Sequence, residues 1–297
     1  MTSPTLYCGV RCNLNCKMCS VKGIKNLNFE NSYSKICSIL KKTETEMVTL
    51  TGGEPTIHPD ILKIAEKINE MDFRGFIAST NGVRFSDNSF TQKMVDFGMD
   101  AAMVSIHGTE DVSFEVTGKR SYKKKIKGIK NLLRHGVRVR IVSILMKPNV
   151  DDLPVLYDRL SNLGDLSFNI LNLNYDGRAE KNIESLAVSF SQKYDFFAQN
   201  KNMFKKFTSG QISEFPRCLV PESLPKKISY LSTFDKIMSN EFSGGLNSFS
   251  NRDRYKKPAI CSTCVHEEYC FGVKKKDLEI FGINNFKETV SDSGFIL

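Results

Sequence analysis

The cysteines of this 297-residue chain carry its clearest chemical signal, and the first group lies close to the N-terminus. Cys12, Cys16 and Cys19 place three thiols within eight residues. Thiolates are soft ligands that suit iron–sulfur clusters or zinc, and one short loop can direct three of them at one point. Three thiolates on a four-iron cluster leave one iron open to a substrate or cofactor. A zinc site is the alternative, because Cys8 can supply a fourth thiol.

A second group of thiols lies in the last 80 residues. Cys261, Cys264 and Cys270 are separated by gaps of two and five residues. Cys218 can supply a fourth ligand, and His266 lies inside the same loop. This arrangement again indicates a metal, as an iron–sulfur cluster or as a four-thiol zinc site.

Composition limits the class of protein in which these thiols can act. Hydrophobic residues make up 40% and charged residues 25% of the chain, which excludes wholesale disorder. No apolar run reaches the roughly 18 residues of a membrane-spanning helix, and the N-terminus lacks the basic and apolar regions of a secretory signal. We therefore expect a cytoplasmic protein, in which nine reduced cysteines point to metal ligation or catalysis more than to disulfides.

Short apolar runs alternate with amphipathic segments over the first 180 residues. Runs rich in Val, Ile, Leu and Phe predict strands at 4–8, 47–50, 75–79, 101–106, 137–145 and 166–171. Apolar residues at helical spacing predict helices near 30–42, 58–70, 89–97, 121–135 and 151–163. Parallel neighbours need crossover helices, so this alternation predicts an α/β fold with a parallel sheet.

The number of strands and the change of pattern near residue 180 predict the architecture. Right-handed crossovers taken in sequence order curl a parallel sheet towards a barrel. Six strands are fewer than the eight of a closed (β/α) barrel, so we expect a partial (β/α)6 barrel. After residue 180 the alternation gives way to Phe-, Lys-, Ser- and Asn-rich segments. We place a boundary there and expect a smaller, cysteine-rich C-terminal domain.

The first thiol group resembles a known family motif. Cys12, Cys16 and Cys19 match the Cys-x3-Cys-x-Φ-Cys motif of the radical S-adenosylmethionine (SAM) superfamily, with Met18 at the apolar position. The segment Thr51-Gly52-Gly53-Glu54-Pro55 lies where that family carries a Gly-Gly-Glu-Pro segment. The resemblance covers residues 4–180 and implies the same partial barrel. It also implies an open-site [4Fe–4S] cluster at which SAM is cleaved to methionine and a 5′-deoxyadenosyl radical.

The resemblance also implies which residues contact SAM. Its amino group is expected at a segment whose glycines allow close backbone approach and whose carboxylate complements the charge. The methionine portion is expected at polar residues that follow the third and fourth strands, since ligands bind at the carboxyl ends of parallel strands. An ordinary turn or a helix cap is the structural alternative at these positions. The expected cofactor-binding residues are Met18, Gly52, Gly53, Glu54, Pro55, Thr80, Asn81 and Ser105.

Further polar residues follow the predicted strands without a firm assignment. His107 stands where many family members carry Asp, and it is our only candidate for catalytic proton transfer. A structural hydrogen bond is the alternative for a single histidine. Asn169, Asn172 and Asn174 punctuate the sixth strand and its exit, where their amides suit an adenine edge or a peptide group.

The second thiol group resembles the twitch or SPASM extensions of radical SAM enzymes. Cys261, Cys264 and Cys270 match their Cys-x2-Cys-x5-Cys portion, and Gly272 matches a frequent following glycine. With Cys218 the four thiols imply one auxiliary iron–sulfur cluster, fully ligated and suited to electron transfer. The resemblance thus implies a radical SAM barrel over residues 1–180 and an auxiliary-cluster domain over residues 181–297.

These inferences predict an enzyme that abstracts a hydrogen atom from a peptide or a small molecule, and that receives electrons from a donor such as a flavodoxin or ferredoxin. A net charge of +9 and a Phe-rich C-terminal part favour an extended peptide, whereas the lack of a leader-binding domain before residue 4 argues against one. The alternative is a zinc-stabilised nucleic-acid-binding protein that uses its lysines for phosphate contacts. We expect no membrane association and no nucleic-acid partner for the enzyme.

Overall fold

The computed structural model describes residues 5–21, 31–43, 45–231 and 254–292. These residues are organised around one parallel β-sheet, and a short antiparallel pair of strands lies near the C-terminal end. No helix of these four ranges is both long enough and apolar enough to cross a membrane.

The main sheet contains eight parallel strands that lie side by side in sequence order. Among the described residues β1 and β8 do not pair with each other, so the barrel is open. The sequential order follows because each crossover returns the chain to the next position along the sheet. The strands are β1 (Thr5–Tyr7), β2 (Met47–Thr51), β3 (Gly75–Thr80), β4 (Met99–Ser105), β5 (Arg138–Leu145), β6 (Leu166–Asn172), β7 (Ser209–Ser213) and β8 (Ile228–Leu231).

Helices form the crossovers and cover one face of the sheet. In α2 the side chains of Ile61, Ile64 and Ile68 recur at helical spacing and are buried against the sheet. Gly136, at a φ of +74°, ends the segment after α5. The helices are α1 (Tyr33–Lys41), α2 (Ile61–Asn69), α3 (Asn88–Asp96), α4 (Glu110–Thr117), α5 (Tyr122–Arg134), α6 (Leu153–Ser161), α7 (Arg178–Lys181), α8 (Ile183–Leu186), α9 (Phe190–Gln199), α10 (Lys201–Lys205) and α11 (Lys275–Asp292).

The α/β class and the open barrel are confirmed, and each predicted strand and helix is present, with ends that differ by up to three residues. The ends predicted at residues 4 and 30 lie outside the described residues. The count of six strands was too low, because β7 and β8 continue the parallel sheet to Leu231. Residue 180 is therefore not the end of the sheet, and the domain boundary predicted there stays a prediction.

The C-terminal segment begins with a small hairpin and ends in a broken helix. Strands β9 (Tyr255–Lys256) and β10 (Val273–Lys274) pair antiparallel and bracket the loop that carries three cysteines. Helix α11 follows and is interrupted at Gly282, whose φ is +78°. The second, smaller hydrophobic core of the molecule joins α11 to α9 through Phe190, Phe286 and Val290.

Candidate metal centres and active site

The first thiol loop follows β1 at the carboxyl edge of the sheet, and backbone hydrogen bonds hold it on two sides. Asn15 N–H donates to Thr117 O at 2.9 Å and Lys17 N–H donates to Val116 O at 2.8 Å. On the other side Arg178 N–H donates to Cys19 O at 2.9 Å. The loop is therefore fixed between the end of α4 and the start of α7, which positions the three cysteines.

The side chain of Met18 packs the thiol loop against the apolar interior. It is buried in a small apolar cluster with Val116, Met146 and Leu173. We expected Met18 to contact the cofactor, but its side chain belongs to this cluster, so such a contact is left to its backbone. The apolar position of the motif thus has a packing role in this chain.

Gly52 and Gly53 pack directly against the backbone that enters the thiol loop. A Cβ atom on Gly52 would lie 2.2 Å from Gly9 O, and one on Gly53 would lie 2.2 Å from Arg11 O. Gly53 N–H donates to Gly9 O at 2.8 Å. Glycine is therefore required at both positions by backbone packing. We expected these glycines because of the ammonium group of SAM, and their packing against the thiol loop was not predicted.

Glu54 is the central hydrogen-bond acceptor of the site. One carboxylate oxygen accepts from the hydroxyl groups of Thr56 (2.6 Å) and Thr80 (2.7 Å), and the other accepts from Asn81 N–H (2.6 Å). Burial raises the pKa of this carboxyl group, while these hydrogen bonds act in the opposite direction. Glu54 thereby ties the end of β2 to the end of β3, and Pro55 follows it as the first residue of a single 3-10 turn.

The other polar residues expected at SAM divide into two kinds. Thr80 and Asn81 are buried and occupied by protein partners, since Asn81 Nδ2 also donates to Asn13 Oδ1 at 2.7 Å within the thiol loop. The hydroxyl group of Ser105, at the end of β4, has no hydrogen-bond partner among the described residues. Thr80 thus holds Glu54 and Asn81 contacts the thiol loop, and the expected contacts of all three residues with SAM stay predictions.

Lys125 is the residue of this site that the sequence argument missed. It lies in a basic run over residues 123–127, a pattern typical of a solvated helix face, but it is only 1% exposed and its Nζ donates to Ser105 O at 2.9 Å. Burial lowers its pKa, and the nearby thiols Cys16 and Cys12 and the carboxylate of Glu54 act in the opposite direction. The sequence did contain evidence for this burial, because Lys125 lies four residues before the buried Ile129 and therefore on the same face of α5.

His107 lies beside this lysine at the end of β4 and is buried. Burial, with a smaller effect of the Lys125 charge, lowers the pKa of its imidazole to about 3. Ile144 N–H donates to Nδ1 at 3.2 Å, so the ring proton is on Nε2. An imidazole that is neutral in this way lacks the acidic form at neutral pH, which disfavours the proton-transfer role that we expected.

The three thiols of the first loop influence one another electrostatically. The pKa of Cys16 is raised to about 11, chiefly by burial, with Lys125 lowering it and Cys12 and Cys19 raising it. The Leu14 N–H donates to Cys12 Sγ at 3.4 Å. Amide donors and a buried cation beside thiols suit an anionic, thiolate-ligated iron–sulfur cluster. Cys8, the alternative fourth ligand, is buried in the main hydrophobic core.

The second group brings together all four cysteines singled out in the sequence. Cys218 lies in a 3-10 turn after β7, and burial followed by the influence of Cys270, Cys264 and Cys261 raises the pKa of its thiol. The backbone N–H groups of Arg217 and Gly272 both donate to Cys270 Sγ at 3.4 Å. The donor set therefore also suits an iron–sulfur cluster. His266 Nε2 lies 3.4 Å from a carboxylate oxygen of Glu222.

Across the part of the chain that the structure describes, no three side chains of the His, Cys, Asp or Glu type are placed to hold a metal ion as they stand. Within each thiol group the cysteines lie near one another, but they do not form a complete metal site in the described ranges. Their role as ligands stays a prediction.

A buried polar network connects the second thiol group to the sheet. Lys274 Nζ lies 2.6 Å from a Glu214 carboxylate oxygen and 2.6 Å from Asn174 Oδ1, and both members of the ion pair are 4% exposed. Glu214 follows β7 and has a φ of +68°, an unusual value for a residue other than glycine.

The asparagines at the end of β6 are hydrogen-bonded to neighbouring protein groups. Asn172 Nδ2 donates to Glu214 O at 3.0 Å, and Asn169 Oδ1 accepts from the Ser213 hydroxyl group at 2.9 Å. All three asparagines thus have at least one protein partner, and their suggested role towards adenine or a peptide group stays a prediction.

A second buried pair lies next to this network. Lys193 Nζ on α9 is 2.7 Å from an Asp277 carboxylate oxygen on α11, and the side chains are 1% and 0% exposed. The Tyr175 hydroxyl group donates to the other oxygen of Asp277 at 2.6 Å. The two pairs together fix the C-terminal segment to the carboxyl edge of β6 and β7, on the same edge as the first thiol loop.

Comparison with known proteins gives a family and several relatives. The sequence pattern of the Radical SAM superfamily matches residues 6–160, just over half of the chain. Fe-coproporphyrin III synthase of Methanosarcina barkeri is 28% identical over 190 residues, which are 62% of this chain and 47% of that protein. A probable GTP 3′,8-cyclase of Sulfurisphaera tokodaii is 29% identical over 179 residues, 58% of this chain and 56% of that protein. The chain thus spans about half the length of the curated relatives it matches.

Solved structures share the fold over most of the chain. SuiB of Streptococcus suis, bound to its precursor peptide SuiA, superposes with a TM-score of 0.64 at 16% identity, and the match covers 94% of this chain and 74% of that one. At this level of identity the likeness concerns the fold alone. It extends through the C-terminal segment as well as the barrel.

Proposed function

The chain belongs to the radical SAM superfamily, and on that premise we propose that it is an enzyme that binds a [4Fe–4S] cluster and SAM and abstracts a hydrogen atom from its substrate. When bound, the cluster supplies the electron that cleaves SAM to methionine and a 5′-deoxyadenosyl radical. The observation that carries the proposal is the convergence of the thiol loop, Glu54 and Lys125 at one edge of the sheet.

We propose that Cys12, Cys16 and Cys19 hold this cluster. The backbone of the loop is fixed by hydrogen bonds from both sides, so the three cysteines lie near one another before a cluster binds. Thiols with raised pKa values release protons when they bind metal, and metal binding must supply that free energy. Lys125 supports the same step, since its charge favours the thiolate form of its neighbour Cys16.

The residues proposed for SAM follow from charge and hydrogen-bond capacity. SAM carries one carboxylate, and Lys125 is the buried cation beside the thiol loop. Ser105 offers a hydroxyl group that has no protein partner in the described ranges. Gly52 and Gly53 bring the backbone after β2 against the thiol loop, and this segment, with the Glu54 carboxylate beside it, is proposed to receive the ammonium group of SAM.

Cys218, Cys261, Cys264 and Cys270 are proposed to hold one auxiliary iron–sulfur cluster, within a C-terminal unit that begins after residue 180. Four thiols are enough to ligate a cluster fully, so we infer a role in electron transfer and in stabilising this part of the fold. The N–H donors to Cys270 are of the kind that tune the potential of a cluster.

A peptide is the proposed substrate class, with a small molecule as the alternative. The likeness in fold to SuiB, which was crystallised with a precursor peptide, supports the first, and the GTP cyclase relatives support the second. The family match removes the basis for the alternative hypothesis of a zinc-stabilised nucleic-acid-binding protein, because that hypothesis needed both thiol groups to be structural zinc sites.

The proposal is tested on protein purified and reconstituted without oxygen. We expect a brown protein that contains iron and sulfide, and that forms 5′-deoxyadenosine from SAM when dithionite is the reductant. A colourless protein with stoichiometric zinc would overturn the proposal. Formation of a modified product from short peptides, followed by mass spectrometry, then decides between the two substrate classes.

Replacing Lys125 with methionine is expected to weaken the binding of SAM about 10- to 100-fold, since a hydrogen bond to a charged group contributes about 1.5–3 kcal/mol. Methionine keeps the length of the side chain, so the helix and its packing are retained. The measurement is a titration of SAM into the reconstituted protein, followed by the change in the electron paramagnetic resonance spectrum of the reduced cluster.

Lys124→Met is the matched control for this variant, because Lys124 is the exposed neighbour on the same helix. It should bind SAM as the wild type does. An unchanged dissociation constant in Lys125→Met would show that this lysine does not contact SAM.

A further inference from the structure

A group of exposed lysines surrounds the start of α5 without counter-charges. Lys119, Lys123, Lys124 and Lys127 are all exposed, and none has an ion-pair partner among the residues that the structure describes. We call these four residues the basic patch. Asp111 and Glu115 are nearby carboxylates, but they face Arg120 (3.9 Å) and Lys17 (3.4 Å). The positive charge of the basic patch is therefore uncompensated.

The arrangement is unfavourable to the helix that carries it. Lys123 and Lys127 are four residues apart on α5, and like charges at this spacing destabilise a helix by about 0.2–0.5 kcal/mol. Some exposed lysines on other elements have partners, such as Lys63 with Asp60 and Lys67 with Glu70, whereas the four of the basic patch lie close together in sequence and have none in the described ranges. A concentration of unpaired cations attracts negatively charged partners and accelerates their association.

The basic patch is continuous with the backbone that holds the first thiol loop. It begins two residues after Thr117, whose carbonyl accepts the hydrogen bond from Asn15 of that loop. On the same helix Lys125 points inward to Ser105, within electrostatic reach of Cys16 and Cys12. About one helix diameter of 10–12 Å and one side chain thus separate the outer face of α5 from the thiols.

The proposed function requires one electron from outside the protein for each SAM that is cleaved. We propose that the basic patch is the docking surface for an acidic one-electron carrier protein of the flavodoxin type. The carrier is oxidised by one electron, the cluster is reduced by one, and that electron breaks the C–S bond of SAM. The inference rests on the proposed function. It places the binding site of the carrier on the side of the thiol loop that contacts α4.

Charge reversal of the basic patch tests this proposal. The variant K123E/K124E/K127E replaces three positive charges with three negative charges, so these side chains still repel one another along α5. With a reduced flavodoxin as the donor at low salt, we expect the rate of 5′-deoxyadenosine formation to fall about 10- to 100-fold. The dissociation constant for oxidised flavodoxin, measured by isothermal titration calorimetry, should rise to a similar extent. In the wild type, added salt should lower the flavodoxin-driven rate and raise the dissociation constant.

Two controls separate docking from other effects. Dithionite is a small reductant that needs no docking surface, so dithionite-driven SAM cleavage should equal that of the wild type. The variant K35E/K205E/K226E changes the net charge equally on exposed lysines of other elements, and its flavodoxin-driven rate should stay within about twofold of the wild type if docking is local.

Other results would overturn the docking proposal. An unchanged flavodoxin-driven rate in K123E/K124E/K127E excludes this surface, and an equal loss with dithionite assigns the lysines to folding or SAM binding. Retained donor affinity together with lost binding of an acidic peptide assigns the surface to substrate. A wild type that forms no 5′-deoxyadenosine with dithionite contradicts the proposed function itself, and the docking proposal fails with it.

Discussion

Replacing Cys16 with alanine is expected to abolish the formation of 5′-deoxyadenosine from SAM. Cys16 is flanked by Cys12 and Cys19 and lies beside Lys125, so its removal leaves two thiols that cannot hold a three-ligand cluster. The loss should exceed the roughly 10- to 100-fold that removal of an outer-shell partner of a metal ligand costs. The measurement is the amount of 5′-deoxyadenosine formed with dithionite under anaerobic conditions, together with the iron content.

The iron content also tests the second thiol group. About four irons remaining in Cys16→Ala indicate a [4Fe–4S] auxiliary cluster, and about two indicate a [2Fe–2S] cluster. Cys37→Ala is the matched control, because Cys37 lies on α1 outside both thiol groups, and this variant should keep full iron and activity. Cleavage of SAM at the wild-type rate by Cys16→Ala would contradict the ligand assignment.

Asp277→Asn is expected to lower the free energy of unfolding by about 3–5 kcal/mol, the usual cost of removing one partner from a buried ion pair. Asp277 is fully buried between Lys193 and the hydroxyl group of Tyr175, so the variant leaves the ammonium group of Lys193 without a counter-charge. Burial already lowers the pKa of Lys193, and the loss of Asp277 would lower it further. Unfolding in urea, followed by circular dichroism, gives the change in stability.

An exposed pair provides the comparison for this variant. Glu70→Gln breaks the ion pair of Lys67 and Glu70, which are joined at 2.8 Å on the surface of the molecule, and should cost less than about 1 kcal/mol. The double variant Lys193→Met/Asp277→Asn should recover part of the lost stability, because it removes the unpaired charge. Equal effects of Asp277→Asn and Glu70→Gln would mean that the buried pair is not stabilised as the structure indicates.

The parts of the molecule that were predicted from sequence are those with a strong local pattern. Strands such as β3 and β5 are short runs of apolar residues, and helices such as α2 repeat apolar residues at helical spacing. The spacing of Cys12, Cys16 and Cys19 is likewise local. These signals were sufficient for the open parallel barrel and for the family, which the sequence comparison confirmed.

Strands β7 and β8 were missed because their sequences are ambiguous. β7 reads Ser-Gly-Gln-Ile-Ser, which contains one large apolar side chain, and its Gly210 is required by contact with the ring of Phe168 on β6. No α-helix connects β7 to β8; that segment contains the 3-10 turn of Cys218. A strand specified by its neighbours leaves little pattern in its own residues.

The contacts of the site that were not predicted join distant segments of the chain. Lys125 meets Ser105 across 20 residues, Glu54 meets Asn81 across 27, and Lys274 meets Glu214 across 60. Nothing in a single sequence states which charged residues are brought together in the interior. Lys274 begins a run of three lysines, a pattern typical of solvated positions, whereas the fold buries it as the partner of a carboxylate.

The two buried ion pairs bear on how this molecule can change in evolution. In each pair one partner precedes the second thiol loop, Glu214 after β7 or Lys193 on α9, and the other follows that loop, Lys274 or Asp277. A chain cut after β8 would leave Glu214 and Lys193 without the counter-charges that the intact molecule provides. Neither half can be exchanged with a relative unless its ionic counterparts are exchanged too. The C-terminal segment and the barrel are therefore coupled through charge as well as through apolar packing.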